Sequence, residues 1–421
     1  MSGRATLPRL LAGTVGRPAR LPEHHERFGA LPATPGLLDE LEAAGLTGRG
    51  GAAFPTARKA AVVRSQRGHG KILVVNAMEG EPAAHKDRTL LATNPHLVLD
   101  GAVALARAIG AARVAVAVAR DEQATVSVVR RALAERTDRT VAFALHTPPW
   151  RYVAGEESAL VHWLNDHESL PQYRPRRPTI LRIGHAPVLV DNAETCAHVA
   201  LIARHGAAWF RGLGTAASPG STLVSVTGAI ARPTVLEMAL GTPLRSVLRA
   251  AGADPEPAAV LLGGYGGSWL GAAHLDVPLA HESLAPLGAA LGAGVIVALP
   301  AGACGVRETL RVARWMAHES ARQCGPCAFG LPALAEDLHV LARSTPGAPA
   351  ALERLGRRAT SIEGRGACRH PDGVVRMVRS ALDVFAAHVD EHQRGAPCAA
   401  RAQRPVIAVP ALEPEEDLAW E

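Results

Sequence analysis

A glycine-rich turn that leads into a short apolar strand constrains this chain more than any other feature. The turn is Gly48-Arg-Gly-Gly-Ala-Ala-Phe54-Pro-Thr-Ala-Arg-Lys59, and the strand spans Lys71 to Asn76. Three glycines in four residues let successive amides point inward at close range, as a backbone nest does around a phosphate. A tight surface turn would use the same glycines. Two observations favour the ligand reading. The chain holds 45 basic residues, yet its three lysines, Lys59, Lys71 and Lys86, all fall in this region. A compact ammonium is not interchangeable with a planar guanidinium, so these positions have a chemical reason to differ. After the strand comes Asn76-Ala-Met-Glu79-Gly-Glu81-Pro82 and then Lys86-Asp-Arg88, a dense polar cluster. It sits at the carboxyl end of a strand, the edge where open α/β sheets bind ligands.

The pattern after the turn alternates. An apolar helix over Pro95 to Ile109 is followed by a β-branched strand over Ala112 to Ala119, a helix over Glu122 to Glu135 and a strand over Thr140 to Leu145. This alternation predicts parallel βαβ units with right-handed crossovers. Upstream, Leu37, Leu38 and Leu41 have helical spacing, and Gly45 ends that helix. Downstream, Tyr152-Val-Ala-Gly155-Glu156-Glu157 and Asp191-Asn192-Ala-Glu194-Thr195 each read as a turn opening a helix, where an acidic residue favours the dipole whether or not it has another role. Small residues from Gly214 to Gly220 mark a boundary. Beyond it, strand, strand, helix and strand within about 80 residues suggest a small β-grasp unit. Arg307 to His392 reads as helical throughout. The expected division is a tail over 1–35, an α/β domain over 36–215, the β-grasp unit over 220–303, a helical domain over 307–393 and a second tail over 394–421.

With 421 residues and 48% apolar content, the chain can bury two or three cores. Its net charge of +6 comes from scattered arginines, and with 4% aromatics there is no basic, aromatic-studded stripe of the kind nucleic acids require. Leu284 to Val306 carries no charge, but Pro286 and Pro300 would break a membrane helix, and the apolar stretch Gly294 to Leu299 reads as a buried strand. No apolar core of a signal peptide precedes about Pro35, so a cytoplasmic setting with reduced thiols is expected.

Three of the six cysteines, Cys324, Cys327 and Cys368, lie in the helical region. Cys324-Gly-Pro-Cys327 could be a redox dithiol, but that chemistry follows a strand, whereas Arg307 to Arg322 is charged and helical. A close pair plus a remote thiol suits an iron–sulfur cluster. Buried cysteines acting as small hydrophobes remain the bland alternative.

With these residues in view, the chain resembles the FMN-, NADH- and iron–sulfur-carrying subunit of respiratory complex I (the 51 kDa, or F-type, family) and its relatives in NAD-linked hydrogenases and formate dehydrogenases. The family's GRGGAGFPTGxKW stands here as Gly48 to Ala60, NADEGEPGTFKDR as Asn76 to Arg88, YxxGEExAL as Tyr152 to Leu160, and NNVET as Asp191 to Thr195. The cluster motif ESCGxCxPCRxG stands as Glu319 to Gly330, with a later cysteine at Cys368. The resemblance implies a Rossmann-like FMN/NADH domain, a β-grasp module of the SLBB type and a C-terminal helical bundle with the cysteine cluster. It implies hydride transfer from NADH to FMN, then single electrons to an iron–sulfur cluster and on to a partner. That partner would be a ferredoxin-like or thioredoxin-like-fold redox subunit, and any membrane complex would be reached through partners, without a span of this chain's own.

Residue by residue, the resemblance assigns Gly48, Arg49, Gly50 and Lys59 to FMN or the dinucleotide. Asn76, Glu79, Tyr152, Gly155, Glu156, Asn192 and Thr195 go to FMN, Phe54, Glu81 and Glu157 to the nicotinamide side, with Glu81 and Glu157 nearest the chemistry, and Cys324, Cys327 and Cys368 to the cluster. Four departures stand out. Met78 replaces an aspartate of the ribityl site, and Asp191 replaces an asparagine expected near the FMN phosphate. Val62 and Arg177 replace two aromatics of an adenine clamp that keeps only Phe54. Ala321 replaces the first cluster cysteine. The cluster could then be 3Fe-4S, or 4Fe-4S completed by His318 or another ligand, or incomplete. The alternative function is an FMN-binding or non-catalytic scaffold subunit.

Overall fold

The computed structural model describes residues 6–13, 17–67, 70–173, 180–396, 398, 404–412 and 420. Arg177, one of the two replacements in the adenine clamp, lies outside them. The first unit runs α1 (Leu21–Phe28), α2 (Leu37–Ala44), α3 (Thr56–Arg64), β1 (Ile72–Ala77), α4 (Lys86–Thr93), α5 (Pro95–Ile109), β2 (Arg113–Val118), α6 (Gln123–Glu135), β3 (Ala142–His146), α7 (Glu157–Asp166), β4 (Arg182–Ile183), β5 (Ala186–Asn192) and α8 (Ala193–Phe210). Its sheet has the order β3-β2-β1-β5-β4; β1, β2, β3 and β5 are parallel, and β4 closes one edge antiparallel. Burial of both sheet faces explains the nearly continuous apolar strands. One face packs on α2, α5, α6 and α8, the other on α7.

Strand order reverses at β1, which has β2 on one side and β5 on the other. The crevice at the carboxyl end of such a switch point is where ligands enter doubly wound sheets. There Asn76 of β1 stands opposite Asn192 of β5. The expected strand and helices from Pro95 to His146 are present nearly residue for residue, whereas two features differ. Thr56 onward is helix, so Lys59 sits on α3 rather than in the turn. Ala186–Asn192 is a full strand beside β1, where the sequence indicated only a helix start at Asp191.

The next unit is a mixed sheet of order β7-β6-β10-β8-β9: β6 (Ser221–Gly228), β7 (Thr234–Ala239), β8 (Ala259–Leu262), β9 (Ser268–Gly271) and β10 (Val295–Leu299), with α9 (Leu244–Ala250) and α10 (His281–Leu284). Its core strands alternate strictly. Val260, Leu262, Ile296 and Ala298 pack with α9, while Leu261, Val295, Val297 and Leu299 join the core of the helical region. Period-two patterning with both faces apolar is what a strand sandwiched between two layers requires. The helical region comprises α11 (Gly305–His318), α12 (Leu331–Ala342), α13 (Ala348–Ile362), α14 (His370–Val384) and α15 (Ala386–Gln393), with a turn of π-helix at Pro326–Gly330 before α12. Residues 404–412, expected as tail, lie against this region: Glu308 of α11 accepts from the amides of Val406 at 3.1 Å and Ile407 at 3.0 Å. Among the described residues, no helix is long and apolar enough to cross a membrane.

Close approach of α5 and α8 fixes the floor under the switch point. A Cβ on Gly101 would lie 1.6 Å from the carbonyl oxygen of Cys196, so α5 can meet α8 only with glycine there. Mid-helix Gly→Ala ordinarily stabilises by about 0.5–1 kcal/mol. Here the clash reverses the sign, and overpacking of about 3 kcal/mol is expected. Gly101→Ala should lower the thermal midpoint by several degrees; an unchanged or raised midpoint would show that the helices separate freely.

Candidate functional site

A cavity of about 350 Å³ opens at the carboxyl ends of β1 and β5, a size within the range of roughly 300–1,000 Å³ that ligand pockets occupy. All three units supply its walls. From the first come Arg49, Gly50, Asn76, Glu79, Glu81, Lys86, Tyr152, Gly155, Glu156 and Asn192; Gly263, Gly266 and Gly292 come from the second, and Cys368, His370 and Arg376 from the third. Ten of the expected site residues, Cys368 among them, therefore line one space. Apart from Cys368, the sequence did not reveal the walls from the second and third units.

Buried charge organises the inner end. Lys86 Nζ meets Asp87 at 2.8 Å, Glu194 at 3.0 Å and Asn192 Oδ1 at 3.2 Å. Asn192 caps α8 through the amide of Glu194 at 3.0 Å and donates to Asp87 Oδ2 at 2.6 Å. Glu194 also accepts from Thr222 Oγ1 and the amide of Leu223, both at 2.9 Å, which ties the sheet end to β6. Burial opposes the Lys86 charge, but Asp87 and Glu194 outweigh it and hold the ammonium above the ordinary lysine range. Burial likewise raises Glu194, yet Lys86, His198 and Arg49 bring it down to about 2. Lys86, one of the three lysines, was noted in the sequence but not assigned to the site; its rarity was the signal.

Around this centre, backbone groups consume much of the polar chemistry. The Arg49 amide donates to Thr195 Oγ1 at 2.9 Å, and its guanidinium reaches Thr47 Oγ1 at 3.0 Å and the Ser221 carbonyl at 3.1 Å. Asn76 Nδ2 donates to the Gly155 carbonyl at 2.8 Å. Glu79 receives the amides of Asp87 at 2.9 Å and Arg88 at 3.0 Å, at the start of α4. Glu156 caps α7, accepting from the amides of Ser158 at 2.8 Å and Ala159 at 3.1 Å. A Cβ on Gly155 would stand 3.0 Å from the Met78 carbonyl, so glycine lets this loop approach the end of β1.

Glu81 is set apart. Its Oε2 accepts from the Tyr265 amide at 3.0 Å, and its Oε1 is buried with no hydrogen-bond partner among the described residues. Burial pushes its carboxyl up to about 8, against the pull of Tyr265 and Tyr152. A buried, half-satisfied carboxyl facing a cavity is the sort of group that meets a ligand. Tyr152 stands at the junction of all three units, edge-on to Trp315 at 5.6 Å and to His370 at 5.3 Å, with its hydroxyl beside Gly266. The neighbouring Arg151 pairs with Glu319 at 3.2 Å, at the end of α11.

Other expected residues lie outside the cavity walls. Gly48 closes the turn by donating to the Phe54 carbonyl at 2.9 Å, and Thr195 holds the Arg49 backbone. Phe54 is exposed, with the Arg58 guanidinium 5.8 Å from its ring centre. Lys59 pairs with Glu157 and with the Val190 carbonyl. Asp191 is buried, with Oδ2 unpartnered among the described residues; burial, aided by Glu157 and opposed by Lys59, pushes its carboxyl up to about 6.

Cys324 is half-buried, whereas Cys327 and Cys368 are buried. Burial and the facing sulfurs of Cys324 and Cys368 raise the Cys327 thiol well above the ordinary cysteine range. A metal centre among the sulfurs is what would favour the thiolates. Ala321 offers no donor. Cys368 belongs both to this group and to the cavity wall, so the cysteine group and the cavity adjoin.

Comparison with known proteins agrees with this geometry. Residues 41–201 match the family model of the Nuo51 FMN-binding domain, and residues 307–392 that of the NADH-ubiquinone oxidoreductase-F iron-sulfur binding region. The chain is 30% identical over 377 residues to an NADH-quinone oxidoreductase F subunit of Rhizobium meliloti, covering 85% of this chain and 89% of that one. It is 32% identical over 378 residues to the NADH-quinone oxidoreductase F subunit of Streptomyces coelicolor, covering 86% and 84%. Among solved structures it is similar to an NAD+-reducing NiFe hydrogenase in the H2-reduced state, with a TM-score of 0.78 and 31% identity, covering 85% of this chain and spanning 62% of the hydrogenase chain.

The Asp191 geometry makes a signed prediction. Its folded-state pKa, about 6, is above the ordinary 3.8, so its ionisation destabilises the fold progressively between those values and fully above pH 6. Asp191→Asn removes a cost of about 3 kcal/mol. Thermal midpoints of variant and wild type should coincide near pH 4 and diverge in favour of the variant up to pH 6, then run parallel. A constant gap across that range would mean that Asp191 does not titrate there.

Proposed function

The chain belongs to the family of NADH-quinone oxidoreductase F subunits, and from that premise we propose that it is an NADH-oxidising electron-transfer flavoprotein. The observation that carries this reading is the cavity at the β1/β5 switch point, where polar groups of three units converge and Cys368 forms part of the wall. FMN bound there would accept hydride from NADH and release electrons singly to an iron–sulfur cluster, chemistry that belongs to the cofactors.

The residues' own work is binding, orientation and charge. Arg49 would offer its charge and Gly50 the close backbone approach that a phosphate requires, while Lys86, matched by Asp87 and Glu194, steadies the wall beside them. Asn76, Tyr152, Gly155 and Asn192 would shape the flavin site, and Glu79 and Glu156 stiffen the two helix starts that border it. Phe54, Lys59 and Glu157, outside the cavity walls, are assigned to the dinucleotide side. Cys324, Cys327 and Cys368 are the thiolates that would hold the cluster; with Ala321 in the fourth position, a 3Fe-4S form or an outside fourth ligand follows. We read the mixed sheet with α9 as the β-grasp module and α11–α15 as the helical iron–sulfur domain. Electrons would leave to a partner redox subunit of a larger complex.

Glu81 gives this reading a pH signature. Its carboxyl, about 8 in the fold, is mostly neutral at pH 7 and ionises above pH 8, adding a negative charge to a buried wall that meets an anionic dinucleotide. KM for NADH should therefore rise several-fold between pH 7 and 9, and Glu81→Gln should flatten that rise. Equal slopes for both proteins would remove Glu81 from the nucleotide side.

The functional test is ferricyanide reduction by NADH with chain purified anaerobically and loaded with FMN. Turnover is expected, with iron bound, and Ala321→Cys should raise the iron content or slow the loss of the cluster in air. Flavin-loaded protein that leaves NADH unoxidised would support the FMN-binding subunit without NADH oxidation instead, and protein that takes up no flavin the scaffold.

A further inference from the structure

The remaining cysteines form a separate group at the opposite end of α11. Cys304 is the residue before its first turn, whereas Cys324 follows its last, and a helix of 14 residues spans about 20 Å. Cys304 Sγ lies 3.3 Å from Nε2 of His392, the penultimate residue of α15. Cys398, just beyond that helix, completes the set: one donor atom from each of Cys304, His392 and Cys398 lies within 4.8 Å of both others, and all three residues are buried. Among the described residues, no other group of Cys, His, Asp or Glu meets this spacing.

We propose that Cys304, His392 and Cys398 bind a zinc ion that fastens the segment after α15 to the start of α11. Zn–S bonds of about 2.3 Å and Zn–N bonds of about 2.0 Å place donors in a tetrahedral site roughly 3.5–3.8 Å apart; Cys304 and His392 are already at 3.3 Å, and all three donors lie within 4.8 Å. Two thiolates and an imidazole are the donors that select zinc over hard cations. The imidazole is also held as a ligand imidazole is held. Ser344 Oγ lies 2.7 Å from Nδ1, so a proton on Nδ1 leaves the Nε2 lone pair facing the sulfurs. Ser344 is fixed in the left-handed region, at φ 54, which serine seldom adopts. Burial raises the Cys304 thiol, and the Arg307 and Val306 amides at the start of α11 pull against that rise. Cys304 and Cys398 also pack in the core of the helical region, as small hydrophobes would, but packing alone does not call for an imidazole nitrogen beside them.

The ion's role follows from where the chain goes next. Beyond Cys398, the amides of Val406 and Ile407 bind Glu308, and the Ala408 carbonyl accepts from the Tyr265 hydroxyl. Tyr265 in turn holds Glu81 through its amide. Fastening the segment at Cys398 thus steadies the strap behind one wall of the cavity. The inference does not depend on the flavin reading.

Metal analysis of the full chain tests it. Zinc at about one per chain is expected in wild type and in Cys327→Ser, and at least tenfold less in Cys398→Ser and His392→Gln, while Ser344→Ala should weaken zinc roughly 10–100-fold. Because a variant that fails to fold would also lose zinc, wild-type protein stripped by a chelator is titrated with Co2+. Thiolate-to-cobalt charge-transfer absorption saturating near one equivalent, with Cys304 and Cys398 becoming resistant to alkylation, supports the site. Zinc-free wild type that gives no cobalt band, zinc retained in Cys398→Ser, stoichiometric copper, or a Cys304–Cys398 disulfide would each overturn it.

Discussion

The ammonium of Lys86 is the point on which the site depends. It is buried at the end of the central strands, in contact with Asp87 and Glu194 and with the amide oxygen of Asn192. Those contacts join α4, the β5–α8 turn and, through Glu194, the first strand of the second sheet. Removing the cation would leave Asp87 and Glu194 buried with their main counter-charge gone, a cost of about 3–5 kcal/mol, far above that of any surface pair. The same charge that holds the units together lines the cavity. The compact ammonium meets two carboxylates and an amide oxygen at 2.8–3.2 Å from one atom, which a planar guanidinium would meet in a different geometry.

A cavity built at a junction has consequences for what surrounds it. Tyr152 touches the helical region through Trp315 and His370, and Arg151 reaches Glu319 just ahead of the cysteine loop. Cys368 then belongs to cavity wall and cysteine group alike. The loop before α7 is thus in register with both the place proposed for the flavin and the place proposed for the cluster. Docking of the units, rather than any single loop, sets the spacing over which electrons would pass.

How much of this was legible in the sequence depended on whether the signal was contiguous. The glycine turn, the polar run after β1 and the acidic pair before α7 each occupy a few adjacent residues, and each carries its own local physics: positive φ, a strand end, a helix start. Ala186–Asn192 was not legible, because a short apolar run opened by a proline has no period of its own, and its place beside β1 is fixed by long-range pairing. Lys59 and Glu157 read as ligand contacts, yet they face each other across α3 and α7, a pairing that only tertiary packing creates. Gly263, Gly292, His370 and Arg376 reach the cavity from the second and third units, and no local pattern announces that. Cys304, His392 and Cys398 were hidden for the same reason, being 88 residues apart in the case of the first pair.

The central claim is that the β1/β5 crevice, closed by all three units, is a preformed FMN site. Fluorescence titration of the flavin-free chain with FMN tests it most directly. The account predicts saturable quenching at about one FMN per chain with a dissociation constant near 1 μM or below, weakened at least tenfold by Gly155→Val, which fills the approach between Met78 and the α7 loop. FMN that remains fully fluorescent in excess protein, or that binds Gly155→Val as tightly as wild type, would contradict it.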